Sequence, residues 1–362
     1  MQGEGARRAI LNDWEDKMEY VINIALLALG FVLLAKGADW FVDGASGIAT
    51  KLKIPQIVIG LTIVAMGTSA PEAAVSISSA IKGNADITIG NVVGSNILNV
   101  LIILGISSVI AVLAVQKSTT WVDVPVTIGA TVILLLLGLD GTVSLLDGIV
   151  MIVCFIAYLA YLFIMTKKNP PKEEAPAVNT NKKHFLLKAI VMTVVGLVAI
   201  VWGSDLSVDG ATALAKLFGV SDRVIGLTII ALGTSLPELF TSVAAAIKKN
   251  SDIAVGNIVG SNIFNILVVV GVSSVITPVP FDKPFVIDTI VALVTMMLLM
   301  VFCIAFKKLN RFAGIVMLSC YVGYFVYLLL SGGAQPAEPE ILPESSSALT
   351  SAASGLSAML SL

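Results

Sequence analysis

GLTIVAMGTSAPE, residues 60–72, and GLTIIALGTSLPE, residues 226–238, agree at 10 of 13 positions. A second pair, IGNVVGSNILN (89–99) and VGNIVGSNIFN (255–265), agrees at 8 of 11, and both pairs are displaced by the same 166 residues. That shift also carries Asp39 to Asp205, Asp43-Gly44 to Asp209-Gly210, Lys82 to Lys248 and Asp86 to Asp252. A register held through two apolar segments and the loop between them is a duplication, not a chance likeness of two greasy helices.

The segments around these blocks read as membrane spans. Of 362 residues, 57% are apolar and only 13% charged, with mean hydropathy +0.97, whereas a soluble domain carries about 25% charge. Apolar runs at 20–43, 56–81, 88–115, 122–138, 145–166, 185–208, 222–247, 254–279, 285–306 and 312–331 give ten candidate spans of the roughly 20 residues a bilayer requires. The expected fold class is therefore an all-α membrane protein of ten transmembrane helices. KKNPPKEEAPAVNTNKKH, residues 167–184, is the long polar linker between the fifth and sixth runs. It divides the chain into repeats at 20–166 and 185–331, flanked by an extramembrane segment at 1–19 and a weakly ordered or disordered tail at 332–362. Five spans per half is an odd number, so the second half enters from the opposite side of the membrane. Two inverted repeats of this kind place a site near the midplane, where the halves meet.

Fourteen of the 22 Lys and Arg residues fall in the loops that share a side with 167–184, and seven on the other side. The positive-inside rule puts that linker in the cytoplasm and both termini outside, in a multi-pass protein of the cell (inner) membrane. The N-terminus, with four acidic residues between its two arginines and the first apolar run, does not resemble a cleaved signal peptide. A net charge of -2 offers no basic field for nucleic acid. Cys154, Cys303 and Cys320 are far apart in apolar runs, without CxxC spacing, and His184, the one histidine, lies in the polar linker. This excludes thiolate or imidazole metal chemistry and a Ser/His nucleophile within the membrane. GTSAP is not the GxSxG elbow of a serine hydrolase.

Two carboxylates stand deep inside apolar runs, Glu72 and Glu238. Each costs about 3 kcal/mol on insertion scales and requires compensation. Helical spacing aligns Thr68, Glu72 and Ser76 on one face with Ser69 alongside, and repeats this as Thr234, Glu238 and Ser242 with Ser235. Asn91, Ser95 and Asn99 form a second stripe, repeated by Asn257, Ser261 and Asn265. Pro71 and Pro237 are expected to free the carbonyls of Gly67 and Gly233. Together these groups are hard oxygen donors suited to Ca2+ and Na+. Asp39, Asp43, Asp205 and Asp209, near span ends, read as a solvated rim, and Gly60, Gly67 and Gly94 as close-packing positions.

The doubled blocks GTSAPE with GNVVGSNILN, and GTSLPE with GNIVGSNIFN, resemble the two alpha-repeats of the calcium/cation antiporter superfamily, in its bacterial and archaeal sodium/calcium exchanger-like branch. The resemblance spans residues 20–331. It implies a core of spans 2, 3, 7 and 8 across which spans 1 and 6 slide to alternate access. Its transported ions are Ca2+ and Na+, with no cofactor, and a monomer in the lipid bilayer is the expectation. It further implies Glu72 and Glu238 as central ligands and Thr68 and Thr234 as donors to calcium. Ser69, Ser235, Ser95 and Ser261 fall at flanking sodium sites, with the carbonyls of Ala65 and Ala231, and Asn99 and Asn265 lie beside the glutamates. Some similar exchangers carry aspartate at the second of these last positions; here both are asparagine. The two carboxylates would balance one Ca2+ and leave three Na+ with one excess charge. Electrogenic exchange that extrudes Ca2+ is the expected activity, and H+/Ca2+ or K+-dependent exchange is the alternative.

Overall fold

The computed structural model describes residues 2–168, 184–218 and 231–330. Its apolar runs are helices, which alone among open structures satisfy every backbone N–H and C=O away from water. In chain order they are α1 (Tyr20–Leu52), α2 (Gln56–Thr68), α3 (Ala70–Ile81), α4 (Ile87–Ile110), α5 (Thr119–Asp140), α6 (Leu145–Lys168), α7 (Phe185–Leu217), α8 (Leu236–Ile247), α9 (Ser251–Ile276), α10 (Lys283–Phe306) and α11 (Arg311–Leu328). Among the described residues eight of these are long and apolar enough to cross a membrane, and nine spans result when α2 and α3, bent by 50° at Ser69, count as one. The run expected over 222–247 is represented by α8 and a helical turn at Ala231–Gly233. Residues 222–230 lie outside the described residues, as do 169–183 of the linker and the tail 332–362.

The prolines act at helix starts. Pro71 occupies the first turn of α3 and Pro237 that of α8, where a missing N–H interrupts no helical bond. The breaks fall just before, at Ser69 (φ -81°, ψ 8°) and Ser235 (φ -91°, ψ 2°). The expected bare carbonyl of Gly233 is not bare: Ser204 of α7 donates its hydroxyl to it at 2.7 Å.

α1 and α7 pack antiparallel along a glycine seam, with Gly30, Gly37 and Gly44 on one helix and Gly196, Gly203 and Gly210 on the other. A Cβ at Gly37 would lie 2.9 Å from the Gly196 carbonyl, and one at Gly203 would lie 2.7 Å from the Leu34 nitrogen. Small residues at seven-residue spacing let two backbones touch where hydrophobicity alone gives membrane helices no reason to associate.

The core sits behind this pair. In α9 every residue from Ile253 to Phe264 is buried, and α2 crosses it so closely that a Cβ at Gly260 would lie 2.6 Å from the Leu61 carbonyl. α8 packs against both α9 and the C-terminal part of α4. Two short ribbons tie the halves together at their loops: β1 (Leu113–Ala114) pairs antiparallel with β4 (Lys308–Leu309), and β2 (Thr142–Val143) with β3 (Val279–Pro280). Within α4 and α9 the helical register widens to π geometry over Asn99–Leu104 and Asn265–Val270. Such π segments are uncommon and recur at functional positions.

Candidate ion-binding site

The α2–α3 break turns the Thr68-Ser69 corner toward the second half, and the Thr234-Ser235 corner faces the first. Glu72, in the first turn of α3, and Glu238, in the first turn of α8, are 1% and 0% exposed. Their partners are exchanged between halves. Ser69 donates its hydroxyl to Glu238 Oε1 at 2.7 Å, and Ser235 donates to Glu72 Oε1 at 3.2 Å. Ser235 also reaches Ser95 Oγ at 3.5 Å, and Ser261 reaches Glu238 Oε1 at 3.5 Å and the Ala65 carbonyl at 3.4 Å. The helix N-termini that carry both glutamates add a favourable dipole for negative charge.

The asparagine stripes hold this arrangement from behind. Asn91 donates to the Glu72 carbonyl and to Ser76 Oγ, at 3.2 and 2.9 Å. Asn257 donates to the Glu238 carbonyl and to Ser242 Oγ, at 3.4 and 2.9 Å. Thr68 Oγ1 donates to Asn257 Oδ1 at 3.0 Å, with the Ala65 carbonyl at 3.3 Å. One turn beyond Ser95 and Ser261, Asn99 and Asn265 are buried where the π segments begin. Asn99 donates to Asn262 Oδ1 at 2.9 Å and Asn265 to Asn96 Oδ1 at 3.2 Å.

The distinguishing feature is what remains unpaired. Glu72 Oε2, Glu238 Oε2, Asn99 Oδ1 and Asn265 Oδ1 are buried oxygens without a hydrogen-bond partner among the described residues, as is Thr234 Oγ1. A buried acceptor left unsatisfied costs about 1–3 kcal/mol, and more if charged. A pair of carboxylate oxygens and a pair of carboxamide oxygens, each pair drawn from both halves, form a hard donor set for a cation. Among the described residues no cluster of three His, Cys, Asp or Glu exists, so two formal negative charges are all the glutamates supply.

Of the residues singled out in the sequence, Glu72 is hydrogen-bonded with Ser235 and through it with Ser95, and Glu238 with Ser69 and Ser261 and through Ser261 with the Ala65 carbonyl and Thr68, so each glutamate gathers its own cluster from both halves. Asn99 and Asn265 form a separate hydrogen-bonded group with neighbours that sequence reasoning passed over, Asn262 and Asn96. Thr234 stands beside Glu72, and the surroundings of Ala231 lie outside the described residues. The aspartates read as a solvated rim are not all free. Lys248 donates to Asp43 Oδ1 at 2.7 Å and to the Asp39 carbonyl at 2.8 Å, with Asp39 Oδ1 at 3.5 Å. Among the described residues the equivalent Lys82 forms no ion pair with Asp205 or Asp209.

Comparison with known proteins finds matches over both halves of the chain. The sodium/calcium exchanger protein family matches the chain twice, over residues 22–164 and 188–330, two matches displaced by the repeat's own 166 residues. CaxA of Alkalimonas amylolytica is 39% identical over 312 residues, covering 84% of this chain and 97% of that protein. The sodium/calcium exchanger MaX1 of Methanosarcina acetivorans is 32% identical over 344 residues, 85% of this chain and 98% of the relative. Among solved structures, the sodium-calcium exchanger NCX_Mj superposes with a TM-score of 0.76 at 32% identity, covering 85% of this chain and 99% of that one. With its duplicated blocks, its helical membrane fold and these matches over both halves, the chain belongs to the sodium/calcium exchanger family.

Proposed function

We propose that this protein exchanges Na+ for Ca2+ by alternating access, with Glu72 and Glu238 as central ligands shared by the two ions. Thr68, Thr234, Asn99 and Asn265 complete the calcium site. Ser69, Ser235, Ser95 and Ser261, with the Ala65 and Ala231 carbonyls, serve the sodium sites. The observation that carries the reading is the set of buried, unpartnered oxygens on Glu72, Glu238, Asn99 and Asn265. A hydrolase or scaffold has no use for orphan acceptors paired across a duplication.

The architecture in this proposal is ten spans in two inverted repeats, 20–166 and 185–331, joined by 167–184. The loop ribbons support inversion. β1 follows α4 and β4 lies between α10 and α11, yet they pair; β2 lies between α5 and α6 and pairs with β3, which follows α9. Each loop thus sits beside the sequence mate of a loop from the other end of its own half, as antiparallel repeats require. The side holding β1, β4 and Lys248 is the cytoplasmic one, with both termini outside, and the Lys248 contacts close that side. With three Na+ moved per Ca2+, one net charge crosses in each cycle. About 100 mV then contributes about 2.3 kcal/mol, or roughly 50-fold in the sustainable gradient ratio, which favours Ca2+ extrusion.

Calcium uptake into proteoliposomes, driven separately by Na+, K+ and H+ gradients with the potential clamped, tests this. Uptake is expected with the Na+ gradient alone. Uptake sustained by a pH gradient without Na+ would move the coupling to protons, and a requirement for K+ would make the exchange K+-dependent.

A further inference from the structure

We infer that Asn96 and Asn262, whose hydrogen bonds go to other asparagines and not to the glutamates, are positioning residues that turn the carboxamide oxygens of Asn265 and Asn99 toward the transported ion. The inference rests on the reading of the unpartnered oxygens as a cation site. A side-chain amide has a donor end and an acceptor end of nearly equal size, so its direction is set only by its neighbours. Here the direction is anchored in the backbone. Asn96 Nδ2 donates to the carbonyl of Asn262 at 3.2 Å, and Asn262 Nδ2 donates to the carbonyl of Asn96 at 3.2 Å. A carbonyl can only accept, so both nitrogen ends are fixed on the opposite helix and both oxygen ends point the other way.

Those oxygens in turn dictate the next pair. Asn96 Oδ1 can be satisfied only by a donor, and Asn265 Nδ2 supplies it at 3.2 Å; Asn262 Oδ1 takes Asn99 Nδ2 at 2.9 Å. With their nitrogens committed, Asn265 and Asn99 leave free their oxygens, which are buried and without a partner among the described residues. All four residues are at most 3% exposed, so water does not offer an alternative direction. The capped carbonyls lie in the last α-turn before each π segment, where the i→i+4 ladder is interrupted. The chain of bonds runs reciprocally between the halves, and neither half can orient its own ligand alone. It also matches the amide at both central positions, since a bare carboxylate at 99 or 265 would face a fixed acceptor.

Calcium chloride titration of the purified full chain by calorimetry separates positioning from mere packing. Asn262→Leu removes the acceptor that holds Asn99 and is expected to weaken Ca2+ binding at least tenfold. Asn262→Asp keeps an acceptor for Asn99 Nδ2 and is expected to bind within threefold of wild type, although it disturbs the same buried contact. Asn96→Leu and Asn96→Asp give the same contrast through Asn265. Equal affinities for the Leu and Asp variants would overturn the positioning role while leaving the cation site standing. Loss of folding in both Leu variants would assign the pair to the fold and also overturn it. Unchanged Ca2+ binding in Glu72→Gln would instead remove the site reading itself.

Discussion

Ser69 holds Glu238 at 2.7 Å, whereas its mate Ser235 reaches Glu72 at 3.2 Å. Thr68 gives its hydroxyl to Asn257, and the hydroxyl of its mate Thr234 has no hydrogen-bond partner among the described residues. Asn257 and Pro237 are buried where Asn91 and Pro71 are only half-buried. At the periphery, Lys248 is engaged by Asp39 and Asp43, while among the described residues Lys82 makes no such pair. The two halves carry the same residues at these places, so composition is not the source of the difference. One chemistry held in two unequal geometries is a difference of state, and inverted repeats that exchange their geometries are a physical route to alternating access.

The comparison breaks most sharply at the glutamates. Each glutamate supplies half of the formal charge offered to the cation, so Glu72→Gln and Glu238→Gln should each lower Ca2+ flux by about 100-fold or more, with unliganded melting temperature retained. Tolerance of either change would mean that the halves are not equal contributors. Next is the seam between α1 and α7. Gly203→Val forces side-chain atoms onto the Leu34 backbone, an overpacking of about 1–3 kcal/mol, and should slow exchange about tenfold while leaving equilibrium Ca2+ binding near wild type. Gly323→Val, at a position where a Cβ would meet no described atom within 4 Å, should leave flux unchanged.

The hydroxyls sharpen the asymmetry itself. A hydrogen bond to a charged group is worth about 1.5–3 kcal/mol, and the shorter bond should be the stronger. Ser69→Ala is therefore expected to raise half-saturating Ca2+ about tenfold, and Ser235→Ala about threefold, in equilibrium titrations. The reverse order would show that the geometry seen here is not the resting one. The smallest effect belongs to the periphery, because exposed ion pairs contribute about 0.2–1 kcal/mol. Lys248→Met should shift the ratio of outward- to inward-accessible protein two- to fivefold, read by impermeant thiol labelling of an introduced cysteine. Lys82→Met should leave the resting ratio where it was.

Much of this was written in the sequence. The 166-residue offset identified the repeat, and a carboxylate in an apolar run marks itself by its insertion cost, so Glu72 and Glu238 were legible at once. The Ser and Thr partners followed because they share a helical face with the glutamates. Asn96 and Asn262 were not legible, since each follows a stripe residue by one position and so points off the stripe's face. Their role appears only when helices from opposite halves cross. The Lys248 contacts were missed for the same reason: the partners are more than 200 residues apart, and charge at a span end is usually solvated. The glycine seam carried a readable seven-residue signal, Gly30, Gly37 and Gly44 with their mates. The π segments had no such mark, because a change of helical register depends on packing more than on residue type.

The central claim is that two glutamates from two halves make one site. Calorimetric titration of Ca2+ into the purified chain, with and without Na+, tests it most directly. A shared site gives one Ca2+ per chain, competed by Na+, and loses all binding when either Glu72 or Glu238 becomes Gln. Two Ca2+ per chain, or a Gln variant that keeps half of the wild-type capacity, would contradict it.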